Sequence, residues 1–167
     1  MKHCYELKSK KIILKPLEKE DIEMLRVLRN QASKCFVTQK YITREQQQQW
    51  YKTYLEKQND YMFKVVLCSN PDEFVGAVAL YDIDKKKGTA EFGRIIVDNK
   101  KVQGIGRDIV DAICRFGYDE FELIKIICTV FKDNEKAVQI YKKNGFKIIG
   151  EKNGLLYMEK CNESTKR

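Results

Sequence analysis

Near the middle of the chain, the segments that connect successive strands change from short turns to helices, and this change most constrains the fold. Between Tyr61 and Val97, three apolar, β-branched segments are separated by short turn segments, which favours antiparallel pairing. After Val97, strand-like and helix-like segments alternate, and parallel strands need such helical crossovers. The resulting order is β-α-α-β-β-β-α-β-α-β-β. It predicts a single α/β domain with a mixed, mostly antiparallel sheet of about seven strands flanked by about four helices.

The elements can be bounded from periodicity and capping signals. Thr43 begins a helix because Gln46, three residues later, completes a capping box. The apolar face of this helix is expected to contain Trp50, Tyr51, Tyr54 and Leu55. Strands are expected at 11–15, 61–68, 74–81, 89–97, 124–130, 147–151 and 155–159, and the other helices at 18–29, after 106 and at 134–143. The domain is expected over residues 11–160, with 161–167 as a disordered tail.

Composition narrows the classes of partner. Lys and Arg number 32 against 24 Asp and Glu, a net charge of +8 that favours anionic partners. The basic residues are scattered and the longest run, Lys85–Lys87, falls at a hairpin tip, which disfavours nucleic acid. The apolar runs are too short for a membrane span and no secretory leader is recognisable, so a cytoplasmic protein is expected.

The sequence offers few residues for metal binding or nucleophilic catalysis. The six cysteines form no C-x-x-C pair, and the one histidine, His3, is expected in a frayed terminal segment. This pattern predicts no metal site and disfavours Cys–His and Ser–His catalysis.

Two glycines spaced by one follow the third central strand. Gly104 and Gly106 stand where a helix begins, a few residues after Val97. Glycine permits close approach of the backbone to a ligand, and the first amides of a helix lack internal partners. The segment therefore predicts a pyrophosphate site, with Lys101 and Arg107 adding positive charge. It is neither a Walker loop nor a Rossmann fingerprint, and the alternative is a tight turn that begins a helix.

A second motif follows the next strand. Asn134 occupies an expected N-cap position, and Ala137 and Tyr141 follow on the same helix face. A slender ligand could lie along this face with its leaving group near Tyr141. Taken singly, Asn134 is more typical of a helix cap, and Tyr141 of a packed tyrosine whose hydroxyl reaches solvent.

Together the two motifs resemble those of the GNAT superfamily of N-acetyltransferases. The acyl-CoA loop of that family, Arg/Gln-x-x-Gly-x-Gly/Ala, corresponds to residues 101–106, with Lys101 at the first position. Its later pattern, Asn-x-x-Ala-x-x-x-Tyr-x-x-x-Gly-Phe, is matched in full by residues 134–146. The similarity extends over about residues 11–160 and is most specific from Thr89 to Gly150. It implies that an amine attacks acetyl-CoA directly, without a metal ion or a covalent enzyme intermediate.

The resemblance also implies roles for individual residues. The strand before the glycines would part from its neighbour and hold acetyl-pantetheine, the loop would hold the pyrophosphate, and Asn134 would bind pantetheine. The expected CoA-binding residues are Ile95, Ile96, Val97, Lys101, Val102, Gln103, Gly104, Ile105, Gly106, Arg107, Asn134 and Ala137. Tyr141 would protonate the departing thiolate.

Glu91 is the candidate base that accepts the amine proton. Strand alternation places it on one face with Gly93 and Ile95. The alternative is a carboxylate paired with a lysine across the sheet.

The acceptor amine is less constrained. Arg29, Asn30, Trp50 and Tyr51, near the loop residues Phe36 and Tyr41, resemble the acceptor region of GNAT enzymes that acetylate amino-sugar nucleotides. This implies a small anionic or nucleotide-linked amine, and packing is the alternative role for these side chains. Acetylation of ribosomal or other protein N-termini, acetylation of polyamines, and a non-enzymatic CoA- or nucleic-acid-binding module remain alternatives. The net charge disfavours polyamines, and a monomer or homodimer is expected.

Overall fold

The computed structural model describes residues 2–35 and 40–163. Its eight-stranded sheet has the order β1-β2-β3-β4-β5-β6-β8-β7. The strands are β1 (Leu7–Lys8), β2 (Ile12–Pro16), β3 (Tyr61–Leu67), β4 (Gly76–Asp84), β5 (Thr89–Val97), β6 (Lys125–Phe131), β7 (Lys147–Lys152) and β8 (Leu155–Cys161). The described α-helices are α1 (Ile22–Gln31), α2 (Arg44–Glu56), α3 (Gly106–Phe121) and α4 (Glu135–Lys143). Neighbouring strands are antiparallel except β5 and β6, so the predicted α/β class is confirmed, with β1 as an additional strand.

The sheet separates two hydrophobic cores. Side chains alternate across the central strands, so Phe63 belongs to the core that includes residues of α3 and α4, whereas its neighbour Met62 belongs to the core that includes residues of α1 and α2. Ala77 and Ile96 also belong to the α1/α2 core. Different helices therefore cover the two faces of the sheet.

The second helix begins as predicted, but its apolar face differs. Thr43 Oγ1 accepts a hydrogen bond from the amide of Gln46, and Gln46 Oε1 accepts one from the amide of Thr43. Tyr51 and Tyr54 are buried, whereas Leu55 is 42% exposed, so the prediction for Leu55 is wrong. The buried line of the helix runs through positions 47, 51 and 54, and position 55 lies beyond it.

The N-terminal segment is packed, which corrects the expectation of a frayed end. His3 Nε2 is 3.0 Å from the carbonyl oxygen of Met62, and the imidazole lies 4.7 Å from the ring of Phe63. Tyr5 meets Phe116 of α3 edge-on at 4.9 Å. Aromatic burial therefore holds this segment against β3 and α3.

Candidate active site

The sheet opens between β5 and β6. Their parallel pairing extends over three residue pairs, from Thr89 with Lys125 to Glu91 with Ile127, and then stops. Beyond that point β5 continues to pair with β4, and β6 with β8. A cavity of about 820 Å³ lies along this opening and reaches α1 and α2. Its volume is in the range of small-molecule sites.

A β-bulge lies in β5 beside the opening. Ala79 is opposite Gly93 and Ala77 opposite Ile96, so one residue of β4 faces two residues of β5. Arg94 accommodates the bulge with a φ of +50°, which is unusual for a residue other than glycine. The extra residue reverses the alternation, and Ile96 instead of Ile95 joins the face of Glu91. The predicted shared face of Glu91 and Ile95 is therefore wrong.

The structure requires glycine at the two motif positions for different reasons. Gly104 has a φ of +77°, and nothing lies within 4 Å of the position that a Cβ would occupy. Gly106 brings α3 close to α4, since a Cβ there would lie 2.9 Å from Cδ1 of Ile140. Within the described residues, the amides of Gly104, Ile105 and Gly106 donate no hydrogen bond. They remain available at the positive end of the α3 dipole.

Other residues of the predicted loop have different partners. The amides of Lys101 and Val102 both donate to the carbonyl oxygen of Asp98 at 3.0 Å, which closes a turn. The Lys101 ammonium pairs with Glu73 Oε1 at 2.9 Å. The lining of the cavity includes Ile95, Ile96, Val97, Gly104, Ile105, Gly106, Asn134 and Ala137, but not Lys101, Val102, Gln103 or Arg107. The binding of the CoA pyrophosphate by these last four residues stays a prediction.

The face of α4 lies across the opening as its spacing predicts. Asn134 Oδ1 accepts a hydrogen bond from the amide of Ala137 at 3.3 Å, which confirms the N-cap. Tyr141 also lines the cavity, is 6% exposed, and packs edge-on against Phe92 at 5.0 Å. Its hydroxyl makes no hydrogen bond to the described residues. Burial raises the pKa of the Tyr141 phenol, so the hydroxyl carries its proton at neutral pH.

Glu91 reaches the same cavity from β5. Tyr81, its cross-strand neighbour on β4, donates its phenolic proton to Glu91 Oε1 at 2.9 Å. Burial raises the pKa of Glu91 even though this hydrogen bond acts in the opposite direction. The partner across the sheet is thus a tyrosine and not a lysine. The sequence analysis missed Tyr81. The register shifts by one residue between Tyr81 and Asp84, so regular pairing from the hairpin turn would have placed Asp82 opposite Glu91.

The predicted acceptor residues divide into two groups. Arg29 and Trp50 line the cavity, whereas Asn30 and Tyr51 do not. Asn30 instead binds the backbone of Ile42 twice: its Oδ1 accepts from the amide and its Nδ2 donates to the carbonyl, both at 2.9 Å. Successive helix positions point about 100° apart, so neighbours in sequence have separate environments.

At this end of the cavity, Gln47 was not predicted. Gln47, 5% exposed, lines the cavity from α2 one turn before Trp50. The run of four glutamines conceals which of them is buried. Tyr41 lies at the cavity wall and is largely exposed, and Phe36 lies outside the described residues.

The described residues, 2–35 and 40–163, contain neither a membrane-spanning helix nor a metal-ligand cluster. No helix in these ranges is long and apolar enough to cross a membrane. No cluster of three or more His, Cys, Asp or Glu in the same ranges could hold a metal ion.

Known proteins share this sequence pattern. The family model for the acetyltransferase (GNAT) domain matches residues 11–147. The spermidine N(1)-acetyltransferase of Escherichia coli K12 is 31% identical over 140 residues, which cover 83% of this chain and 74% of that protein. The acetyltransferase PseH of Campylobacter jejuni strain 81-176 is 27% identical over 136 residues, or 81% and 82% of the two chains.

Solved structures share the fold. The Vibrio cholerae spermidine N-acetyltransferase in complex with CoA and spermine superposes with a TM-score of 0.79 at 22% identity, covering 90% of this chain and 95% of that one. Campylobacter jejuni PseH in complex with acetyl-CoA gives 0.73 at 22% identity, covering 91% and 99%. With the family model matching most of its length, the chain belongs to the GNAT acetyltransferases and is an acetyl-CoA-dependent N-acetyltransferase.

Proposed function

We propose that the enzyme acetylates a small amine whose remaining part is anionic, as in a nucleotide-linked amino sugar. The charge of the cavity wall carries this proposal. Among its described residues Glu91 is the one carboxylate, whereas the basic residues are Arg29, Lys40, Lys136 and Arg94, the last of which is paired with Asp60 behind the wall. A polyamine would find one countercharge and several like charges.

The cavity residues fit acetyl-CoA. The available amides at Gly104–Gly106 suit a diphosphate, since they lie at a helix N-terminus. The unpaired edge of β5 beyond Glu91 offers main-chain groups to an amide-containing chain such as pantetheine. Asn134 and Ala137 form the opposite wall. Acetyl-CoA supplies an acetyl group activated as a thioester.

Two side chains handle protons in the proposed reaction. Glu91 has one carboxylate oxygen bonded to Tyr81, and its other oxygen takes the proton of the amine, directly or through water. The raised pKa of Glu91 makes it a stronger base. Tyr141 donates its phenolic proton to the sulfur that leaves. Positioning and proton transfer then account for catalysis without a nucleophilic side chain.

A polyamine is the second candidate acceptor. It is favoured by the spermidine N(1)-acetyltransferase that shares 31% identity over most of this chain. On this alternative the single carboxylate Glu91 would contact the reacting amine, and the remaining ammonium groups would lie near the mouth of the cavity.

A panel of acceptors tests the proposal. Release of the CoA thiol would be followed with acetyl-CoA and, in turn, a UDP-linked amino sugar, spermidine and a short peptide with a free N-terminus. We expect the highest kcat/KM for the sugar nucleotide, and we expect Arg29→Gln to lower it while leaving spermidine turnover unchanged or higher. Lys86→Gln, on the exposed β4–β5 turn, is the matched control. A higher kcat/KM for spermidine or the peptide would overturn the anionic acceptor.

A further inference from the structure

A buried ion pair lies beside the β5 bulge. Both carboxylate oxygens of Asp60 are 2.8 Å from Nη1 of Arg94. The Asp60 side chain is 4% exposed and that of Arg94 31% exposed. Asp60 directly precedes β3, and Arg94 is the bulge residue with positive φ. A buried carboxylate of this kind requires its partner, because an unpaired buried charge is strongly destabilising. The pair therefore fixes where the Arg94 side chain lies.

The guanidinium of Arg94 in turn covers Tyr81. Its Cζ lies 4.3 Å from the centre of the Tyr81 ring, within the range of a cation–π contact. Gly93 leaves room for this tyrosine, since a Cβ at that position would lie 2.8 Å from the Tyr81 hydroxyl oxygen. The phenol is thus confined between the strand and the guanidinium. Its hydroxyl has one described partner, Glu91 Oε1.

We propose that Arg94 is a positioning residue: held by Asp60, it keeps the Tyr81 hydroxyl on Glu91 and thereby fixes the direction of that carboxylate in the cavity. This inference rests on the proposed role of Glu91 as the base. The contacts run from Asp60 at the start of β3, through the bulge of β5, to Tyr81 on β4. They use none of the residues of the two sequence motifs.

The charges around Glu91 determine how its pKa would change if Arg94 or the Tyr81 hydroxyl were removed. The polar groups that face it are Tyr81 and Asp82 on β4, Arg94 on β5 and Cys128 on β6, and Arg29 and Lys40 line the same cavity. Burial raises the pKa of Glu91, Asp82 raises it further, and the Tyr81 hydrogen bond and the Arg94 charge lower it. Removal of Arg94 or of the Tyr81 hydroxyl should therefore raise the pKa of Glu91.

Arg94→Leu is the first test. We expect the acidic limb of the kcat/KM profile to move to higher pH, with the KM for acetyl-CoA changed less than twofold. Tyr81→Phe should move the limb in the same direction with the Asp60–Arg94 pair intact. Arg94→Lys should restore the profile at least in part, because an ammonium retains the charge. Arg115→Leu, which breaks an exposed ion pair with Asp111 on α3, should leave the limb in place.

The double variant Asp60→Asn/Arg94→Leu separates positioning from stability. Arg94→Leu alone leaves Asp60 buried without its partner, so its Tm should fall, and the double variant should recover Tm because that charge is gone. The shifted acidic limb should persist in the double variant. Recovery of both Tm and the pH profile would show a purely structural pair and overturn the inference.

Glu91→Gln distinguishes this inference from the proposal beneath it. Unchanged kcat and an unchanged acidic limb in Glu91→Gln would refute Glu91 as the base, and the positioning role would fail with it. A large loss of kcat in Glu91→Gln, with wild-type profiles for Arg94→Leu and Tyr81→Phe, would refute the positioning role alone.

Discussion

Three phenols line the cavity, those of Tyr41, Tyr81 and Tyr141, and the partners of Tyr81 and Tyr141 give these two different chemistry. The Tyr81 hydroxyl is bound to Glu91 at 2.9 Å, so its proton is already engaged. The Tyr141 hydroxyl has no hydrogen-bond partner among the described residues, although its ring packs on Phe92. Burial raises the pKa of both phenols, which keeps both protonated at neutral pH. Of these two, Tyr141 is therefore the phenol whose proton remains available.

Replacement of Tyr141 by Phe tests this assignment. We expect kcat to fall about 100-fold or more, in the range of lost general acid catalysis. The dissociation constant for CoA should change less than twofold, because the ring and its contact with Phe92 are retained. Steady-state kinetics and calorimetry measure the two quantities. Tyr157→Phe, at a partly exposed position of β8, is the control, and an unchanged kcat in Tyr141→Phe would contradict the role.

At the scale of elements, α1 holds the segment that leads into α2. Asn30 binds both backbone groups of Ile42, and Arg26 Nη1 donates to the same carbonyl oxygen at 3.1 Å. Arg26 is oriented by Glu23, which accepts two hydrogen bonds of 2.9 Å from it. Because Ile42 and Tyr41 line the cavity, α1 shapes this end of the cavity through the main chain as well as through Arg29.

Asn30→Asp tests this connection between helices. The substitution keeps an acceptor for the Ile42 amide but loses the donor to its carbonyl, at a cost of about 1–3 kcal/mol in the free energy of unfolding. We expect a several-fold higher KM for the acceptor and an unchanged dissociation constant for CoA. Thermal unfolding, kinetics and calorimetry check these outcomes. Gln48→Glu, on the exposed face of α2, controls for the added charge; equal effects of the two variants would disprove the connection.

The features predicted from sequence were those that depend on short-range spacing. The Thr43 capping box and the Asn134 N-cap follow from residues a few positions apart. The bulge at Arg94 was missed because it depends on the register with β4 and on Asp60, a partner 34 positions away. Such distant pairing leaves no local pattern in the sequence.

At the scale of the whole molecule, the N-terminal segment joins the two sides of β3. Lys2 donates to the carbonyl oxygen of Tyr54 at 2.9 Å and to that of Asp60, and its ammonium lies 4.2 Å from the Tyr54 ring. Partial burial lowers the pKa of Lys2 to about 8. His3 and Tyr5 pack on the opposite side, against Phe63 and Phe116. The segment therefore contributes to the stability of the entire domain.

The single histidine allows a measurement of this contribution. Burial lowers the pKa of His3 below its ordinary value of about 6.5, so the unfolded chain takes up the proton first as the pH falls. The stabilisation from neutral His3 is present above about pH 6.5 and is lost as the pH drops through the folded pKa. Wild type should therefore lose more Tm between pH 7.5 and 5.5 than His3→Phe. An imidazole NMR titration at or above 6.5 would contradict this expectation.

The parted strands have a thermodynamic consequence. In a continuous sheet, the main-chain groups along the facing edges of β5 and β6 would be paired. Because this pairing stops after Glu91 and Ile127, the folded chain lacks these hydrogen bonds between the two strands. A ligand that occupies this opening binds the folded chain and not the unfolded chain, so its binding stabilises the folded state. With acetyl-CoA bound in this opening as proposed, the thermal stability of the enzyme would rise with the concentration of its acetyl donor.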